Sequence, residues 1–185
     1  LTKVDHLLIT HLHFDHTISA PGLWLTGWLF GRKVPMNVYG PEGTAAMMKN
    51  FETAYDWDIR YRKLVGVHAR GSELLATDLN PSVFFDKGGL KITAFEVEHL
   101  PINTETGELL GLEGATLGYR IDYGGRSVLF SGDTNTSPAS DIIKYGKGVD
   151  VLIHETQVPA PGNSPEAVLA NVSLSVHSTP AQVAY

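Results

Sequence analysis

Four side chains able to hold a metal ion, His11, His13, Asp15 and His16, fall within six residues, directly after a mostly apolar stretch at 4–9. No regular period gathers all four. On a strand, His11, His13 and Asp15 share a face and His16 lies on the other; on a helix no single face holds the set. A turn at a strand end meets the need, because it can aim the first two ligands at one metal and the next two at a second. Imidazole with carboxylate suits zinc, iron or manganese better than calcium or magnesium. The chain has no cysteine, so each protein ligand must be histidine or carboxylate. The cluster reads as a metal site.

The elements that must position such a site repeat one arrangement. Residues 4–10 read as a short strand that delivers His11 at its C-terminal end, where open α/β sheets usually place functional groups. Residues 90–98 read as another, ending at His99; their alternation shifts at Ala94-Phe95, which a β-bulge or burial on both faces explains. Residues 116–123 and 126–131 flank Gly124-Gly125, a two-residue hairpin signal, and the second runs straight into Ser131-Gly132-Asp133. Residues 149–153 read as a buried strand presenting His154 and Glu155. If these strand ends lie side by side, the histidines and acids meet on one edge of a sheet.

The intervening stretches read as scaffold. Trp24 and Trp28, four apart within 17–30, predict a helix packed on a sheet. A strand at 34–39 follows, and Thr44 is the expected cap of a helix that starts at Ala45. The charged stretch 56–70 reads as a solvated helix and loop, and 138–145 as a short helix. Ser164-Pro165-Glu166 opens another helix, and Thr179-Pro180 reads as an N-cap followed by the first helical residue. His6, inside the first strand, and His68, in the charged loop, have no ligand-like neighbours.

At 185 residues with 43% hydrophobic content the chain is expected to form a single domain, 1–185, with a real core. Its net charge of −6 argues against a large RNA or DNA footprint. The longest apolar stretch, 18–30, is interrupted by Pro21, Gly22 and Gly27, so no membrane span is expected. Leu1-Thr2-Lys3 leads almost at once into the first strand.

His11-x-His13-x-Asp15-His16 resembles the signature of the metallo-β-lactamase fold superfamily. Its pattern continues in order with His99, Ser131-Gly132-Asp133-Thr134, His154-Glu155-Thr156 and His177-Ser178-Thr179. The last two triplets are similar to motifs of the ribonuclease Z and arylsulfatase-like branch. Trp24-Leu25-Thr26-Gly27-Trp28 and Gly118-Tyr119-Arg120 resemble a bacterial, often exported, group within it. The resemblance implies an α/β, four-layer αββα metallo-β-lactamase fold, incomplete here at both ends, since the superfamily places strands before the first motif and a last ligand after the final one. It also implies two zinc ions, with manganese or iron as alternatives. His11, His13 and His99 match the ligands of the first metal, Asp15 and His16 those of the second, and Asp133 the carboxylate that bridges both.

The chemistry implied is hydrolysis by a metal-bridging hydroxide, with a small phosphodiester or sulfate ester as substrate. His177 has two readings: last ligand of the second metal, or, as its Ser-Thr neighbours favour, a catalytic residue oriented by Glu155. In the second reading Asp15, Glu155 and His177 form the catalytic set, the last ligand lies beyond Tyr185, and His154 supports the ligands from behind. The alternatives are tRNA 3′-processing of the ribonuclease Z type, a β-lactamase or lactonase, and a mononuclear iron persulfide dioxygenase. Residues 100–115 carry no lysine or arginine, unlike an RNA-gripping arm. The partners expected are thus a small ester and a second copy in a homodimer, without nucleic acid or membrane.

Overall fold

The structure, a computed structural model, describes residues 1–99, 103, 106, 108 and 116–184. Apart from 103, 106 and 108, the acidic stretch 100–115 lies outside the described residues. The chain divides into two compact units, Leu1–Leu79 and Asn80–Tyr185.

The first unit holds β1 (His6–Leu8), α1 (Phe14–Thr17), α2 (Ala20–Leu29), β2 (Met36–Gly40), α3 (Thr44–Ala54), α4 (Asp56–Leu64), a 3₁₀ turn (Ala69–Ser72) and β3 (Leu74–Asp78). The strands pair in parallel in the order β1-β2-β3. Parallel neighbours need crossover connections, which the helices supply. β1 is shorter than the strand expected over 4–10, although Ile9 still donates to the Tyr39 carbonyl at 2.8 Å. Trp24 and Trp28 are buried with Ile9, Met36, Val38, Met48 and Ile59. Their indole nitrogens donate to the Ser72 and His68 carbonyls at 3.1 and 2.8 Å, which fixes α2 as packing scaffold.

Thr44 is not the cap of its helix. Gly43 takes that place at φ 94°, a backbone region open to glycine, and the Thr44 hydroxyl turns back to the Pro41 carbonyl at 2.7 Å. The Ala45 N–H is satisfied instead by Asp78 Oδ1 at 2.8 Å, a partner far along the chain that no local pattern reveals. Within α4, Arg60 and Arg62 pair with Asp56 and Asp58 one turn earlier, so the charged stretch is the solvated face expected.

Arg32 locks this unit. Its side chain is 1% exposed, and its guanidinium donates to the carbonyls of Trp24, Gly71, Val34 and Val4 at 2.7–3.4 Å. Burial lowers its pKa, and the charge of Asp5 opposes that shift. Gly71 has to be glycine, because a Cβ there would strike the Arg32 carbonyl oxygen.

The second unit holds β4 (Ser82–Lys87), β5 (Leu90–Val97), β6 (Thr116–Tyr123), β7 (Arg126–Phe130), α5 (Asp141–Gly146), β8 (Val151–Ile153), α6 (Pro165–Ser173) and α7 (Pro180–Val183). The sheet runs β4-β5-β6-β7-β8, antiparallel except for the parallel pair β7-β8. The Gly124-Gly125 hairpin forms as expected, with φ of 58° and 74° and Tyr123 opposite Arg126. A second hairpin at Gly88-Gly89 pairs Lys87 with Leu90. The shift at Ala94-Phe95 is burial on both faces: residues 92–95 are all buried and the β5-β6 register is unbroken. The irregularity lies in β4, between Val83 and Phe85.

Phe95, Val97, Leu129 and Ile142 form a core cluster in this unit, with Tyr145 stacked on Phe95 at 4.6 Å. β8 departs from expectation. It is a strand, but Val151, Leu152 and Ile153 are 51%, 45% and 49% exposed, because among the described strands it lies at the sheet edge. Just before it, Asp150 accepts from Arg126 at 2.8 Å and from the Ser127 amide at 2.8 Å, which holds its carboxyl below the usual range. The caps of α6 and α7 form as read: Ser164 accepts from the Ala167 amide, and Thr179 with Gln182 makes a capping box. Among the described residues no helix is long and apolar enough to cross a membrane.

Arg32→Met keeps an unbranched side chain but removes all its donors. Each carbonyl left dry and unpaired costs about 1–3 kcal/mol. Urea unfolding should therefore show a markedly lower midpoint; an unchanged midpoint would mean that these carbonyls find other partners.

Candidate metal centre

In the first unit the chain leaves β1 in an extended stretch and then closes one helical turn, α1. The Thr17 hydroxyl ties that turn to the His13 carbonyl at 3.0 Å. His11 and His13 thus stand on extended backbone while Asp15 and His16 stand on the helix, the change of period that the four-residue pattern demanded. His11 is 4% exposed. Its Nε2 lies 3.0 Å from His13 Nδ1, and its ring centroid 4.1 Å from that of His16. The Thr10 hydroxyl sits 3.1 Å from His11 Nδ1, which leaves Nε2 as the nitrogen to face a metal. Asp15 stands further out, 61% exposed, with a carboxylate oxygen 3.5 Å from His16 Nε2.

In the second unit His99, Asp133 and His177 each offer one ligand atom, and the three atoms lie within 4.8 Å of one another. His99 follows β5, and its Nδ1 donates to the Val176 carbonyl at 2.8 Å. Asp133 follows β7 through Gly132, whose φ of 63° lets the chain turn at the strand end. His177 sits between α6 and α7 with Nδ1 3.1 Å from Glu155 Oε1 and 4.0 Å from Asp133 Oδ2. Glu155, which follows β8, accepts on the same oxygen from the amides of Thr134 and Ser178 at 3.1 Å each.

These side chains fit a divalent metal. Metal-binding histidines characteristically engage their second nitrogen with a carbonyl, carboxylate or other polar partner. His11, His99 and His177 do so through Thr10, the Val176 carbonyl and Glu155. Glu98, one residue before His99, has a buried oxygen with no hydrogen-bond partner among the described residues. An unpaired buried carboxylate oxygen favours a nearby positive charge. The nitrogen and oxygen donors admit zinc, iron or manganese alike.

His154 has both ring nitrogens engaged by the protein. Its Nδ1 donates to the Glu155 carbonyl at 2.6 Å, and its Nε2 lies 2.9 Å from Thr136 Oγ1. His6 is occupied with Asp5 and stacked on Tyr39. Thr10, Thr136 and the Val176 carbonyl escaped the sequence reading. Thr10 alone carried a local signal, its place directly before His11; the other two reach the site through loop geometry.

The family described as Beta-lactamase superfamily domain matches residues 1–184. The chain belongs to that family. Ribonuclease Z of Mycobacterium avium (strain 104) is 30% identical over 154 residues, covering 80% of this chain and 50% of the relative. Ribonuclease Z of Methanosarcina mazei is 24% identical over 220 residues, covering 100% of this chain and 66% of the relative. The human short-form tRNase Z superimposes with a TM-score of 0.56 at 19% identity, over 97% of this chain and 74% of that one. A diphosphatase from the PhnP family gives 0.57 at 17% identity, over 97% and 53%. The fold is the metallo-β-lactamase fold, and the curated relatives named here are ribonuclease Z proteins. The chain spans about half the length of the first curated relatives it matches.

Thr10→Val removes a hydroxyl beside His11 with little change of shape. Loss of such a supporting group typically weakens metal binding about 10–100-fold. Competition of zinc between the full-length protein and a chromogenic chelator should show a loss at the lower end of that range; equal affinity would remove Thr10 from the site.

Proposed function

We propose that the protein is a dinuclear metal-dependent hydrolase acting on a small phosphodiester or sulfate ester. In this reading His11, His13 and His99 hold one ion, Asp15 and His16 contribute to the second, and Asp133 serves both. When bound, the metals supply Lewis acidity and activate water near neutral pH. The names of the relatives, ribonuclease Z and diphosphatase, support phosphorus esters ahead of sulfate. They also favour hydrolysis over the iron oxidoreductase alternative.

The observation that carries the reading is the contact between His177 and Glu155. An Nδ1–H aimed at a carboxylate fixes the ring tautomer and leaves Nε2 to meet the scissile group. The carboxylate also stabilises the ring when it is protonated, so His177 is suited to deliver a proton to the leaving oxygen. His177 equally stands within ligand reach of His99 and Asp133, and its removal decides between the roles.

A second reading, cleavage of a tRNA precursor, is favoured by the names of the curated relatives. The net charge of −6 and the absence of lysine and arginine from 100–115 weigh against an RNA clamp in this part of the chain. A precursor tRNA assayed beside small phosphodiesters separates the two.

As general acid, His177 predicts a leaving-group signature. In the full-length protein, His177→Ala should retain its metal and lose roughly 10²–10⁴-fold in turnover of an ester with a poor leaving group. A nitrophenyl ester, whose leaving group needs little protonation, should be far less affected. Loss of one metal equivalent would make His177 a ligand instead.

A further inference from the structure

Asp133, Glu155 and His177 all stand on chain that belongs to no strand or helix, at 131–140, 154–164 and 174–179. The β7-β8 ladder sets only the start of the first two loops, at Phe130 and Ile153, and beyond it other bonds have to set their spacing and that of the third. We infer that Ser178 is the positioning residue that holds the three loops in register. This inference rests on the hydrolase reading for its kinetic consequence but not for its structural one.

Ser178 is 0% exposed and bonded on every side. Its hydroxyl donates to the Thr134 carbonyl at 2.6 Å and accepts from the Thr136 amide at 2.9 Å, which grips the loop of Asp133 on both sides of Asn135. Its amide donates to Glu155 Oε1 at 3.1 Å. Its carbonyl accepts from the Gln157 amide at 2.8 Å and the Thr156 hydroxyl at 3.3 Å, binding the Glu155 loop a second time.

The network has little slack. The His154 Nδ1–H must point to the Glu155 carbonyl, so in the neutral ring Nε2 accepts the Thr136 hydroxyl proton. The Ser178 hydroxyl proton then has the Thr134 carbonyl at 2.6 Å as its shorter acceptor, with Thr136 Oγ1 at 3.1 Å beside it. Thr134 and Thr136 are themselves 0% and 2% exposed, so water does not readily replace a lost partner. Removing the Ser178 hydroxyl leaves a buried donor and a buried acceptor in the loop of Asp133, and that loop must shift to satisfy them. Because the Thr134 amide shares Glu155 Oε1 with His177, the shift reaches the imidazole.

The test uses Ser178→Ala and, since that variant can fail to fold, Ser178→Cys, which fills the site with a much weaker donor. Long-range ¹H–¹⁵N spectra of the metal-free full-length protein read the His177 tautomer without substrate or metal. The wild-type ring should carry its proton on Nδ1, and the variants should show a mixture of tautomers. Their kcat on a small phosphodiester should fall about 10–100-fold at little-changed KM, the range for lost supporting partners. A wild-type tautomer in the folded variants would overturn the inference, whatever the rate. Altered tautomers in a protein that hydrolyses none of the esters would sustain it and overturn the hydrolase reading instead.

Discussion

Glu155 Oε1 takes three hydrogen bonds, from His177 Nδ1 and from the amides of Thr134 and Ser178. A carboxylate oxygen can accept several donors at once, and bonds to an ionised group are the stronger kind. Here the donors come from loops that lie beyond the last pair of the β7-β8 ladder. One oxygen therefore sets the orientation of an imidazole and the path of the loop that carries Asp133. Glu155 stands two residues beyond β8, whose pairing with β7 ends at Ile153 opposite Phe130, and its amide donates to the Ser131 hydroxyl at 3.1 Å. A short edge strand thus governs the more buried half of the candidate centre.

The first unit solves the same problem in another way. His11, His13 and His16 gather through a change of backbone period, extended and then helical, within six residues. That device is local and consequently legible: four ligand types at a spacing matching neither strand nor helix already require a turn. The scaffold behind it is also local in origin, with Trp24 and Trp28 one helical turn apart. The bonds that lock it are distant. Arg32 reaches carbonyls at 4, 24, 34 and 71, and Asp78 instead of Thr44 accepts from the Ala45 amide in the first turn of α3.

That contrast explains what the amino-acid sequence disclosed. The Gly124-Gly125 hairpin, the Ser164 cap and the Thr179–Gln182 box follow from neighbours within a few residues, and all are present. Gly88-Gly89 carries the same two-residue hairpin signal, and it too forms a hairpin. The exposure of β8 was not legible, since an apolar run has the same composition at a sheet edge as in its centre. The family was readable from the ordered motifs, and type and spacing with that resemblance nominated the candidate metal set. The tautomer-fixing partners were not, apart from Glu155 and its triplet, because carbonyls such as that of Val176 carry no side-chain signature.

In the proposed hydrolase His11, His13 and His99 would hold one ion, Asp15 and His16 would contribute to the second, and Asp133 would serve both. Titration of the metal-free full-length protein with cobalt(II), following the visible absorption bands and counting bound metal, tests that claim most directly. The account predicts two equivalents per chain, a loss of binding on either His13→Ala or His99→Ala, and the deepest loss on Asp133→Ala. One equivalent that survives His99→Ala unchanged would contradict it, because the first cluster would then bind its metal alone.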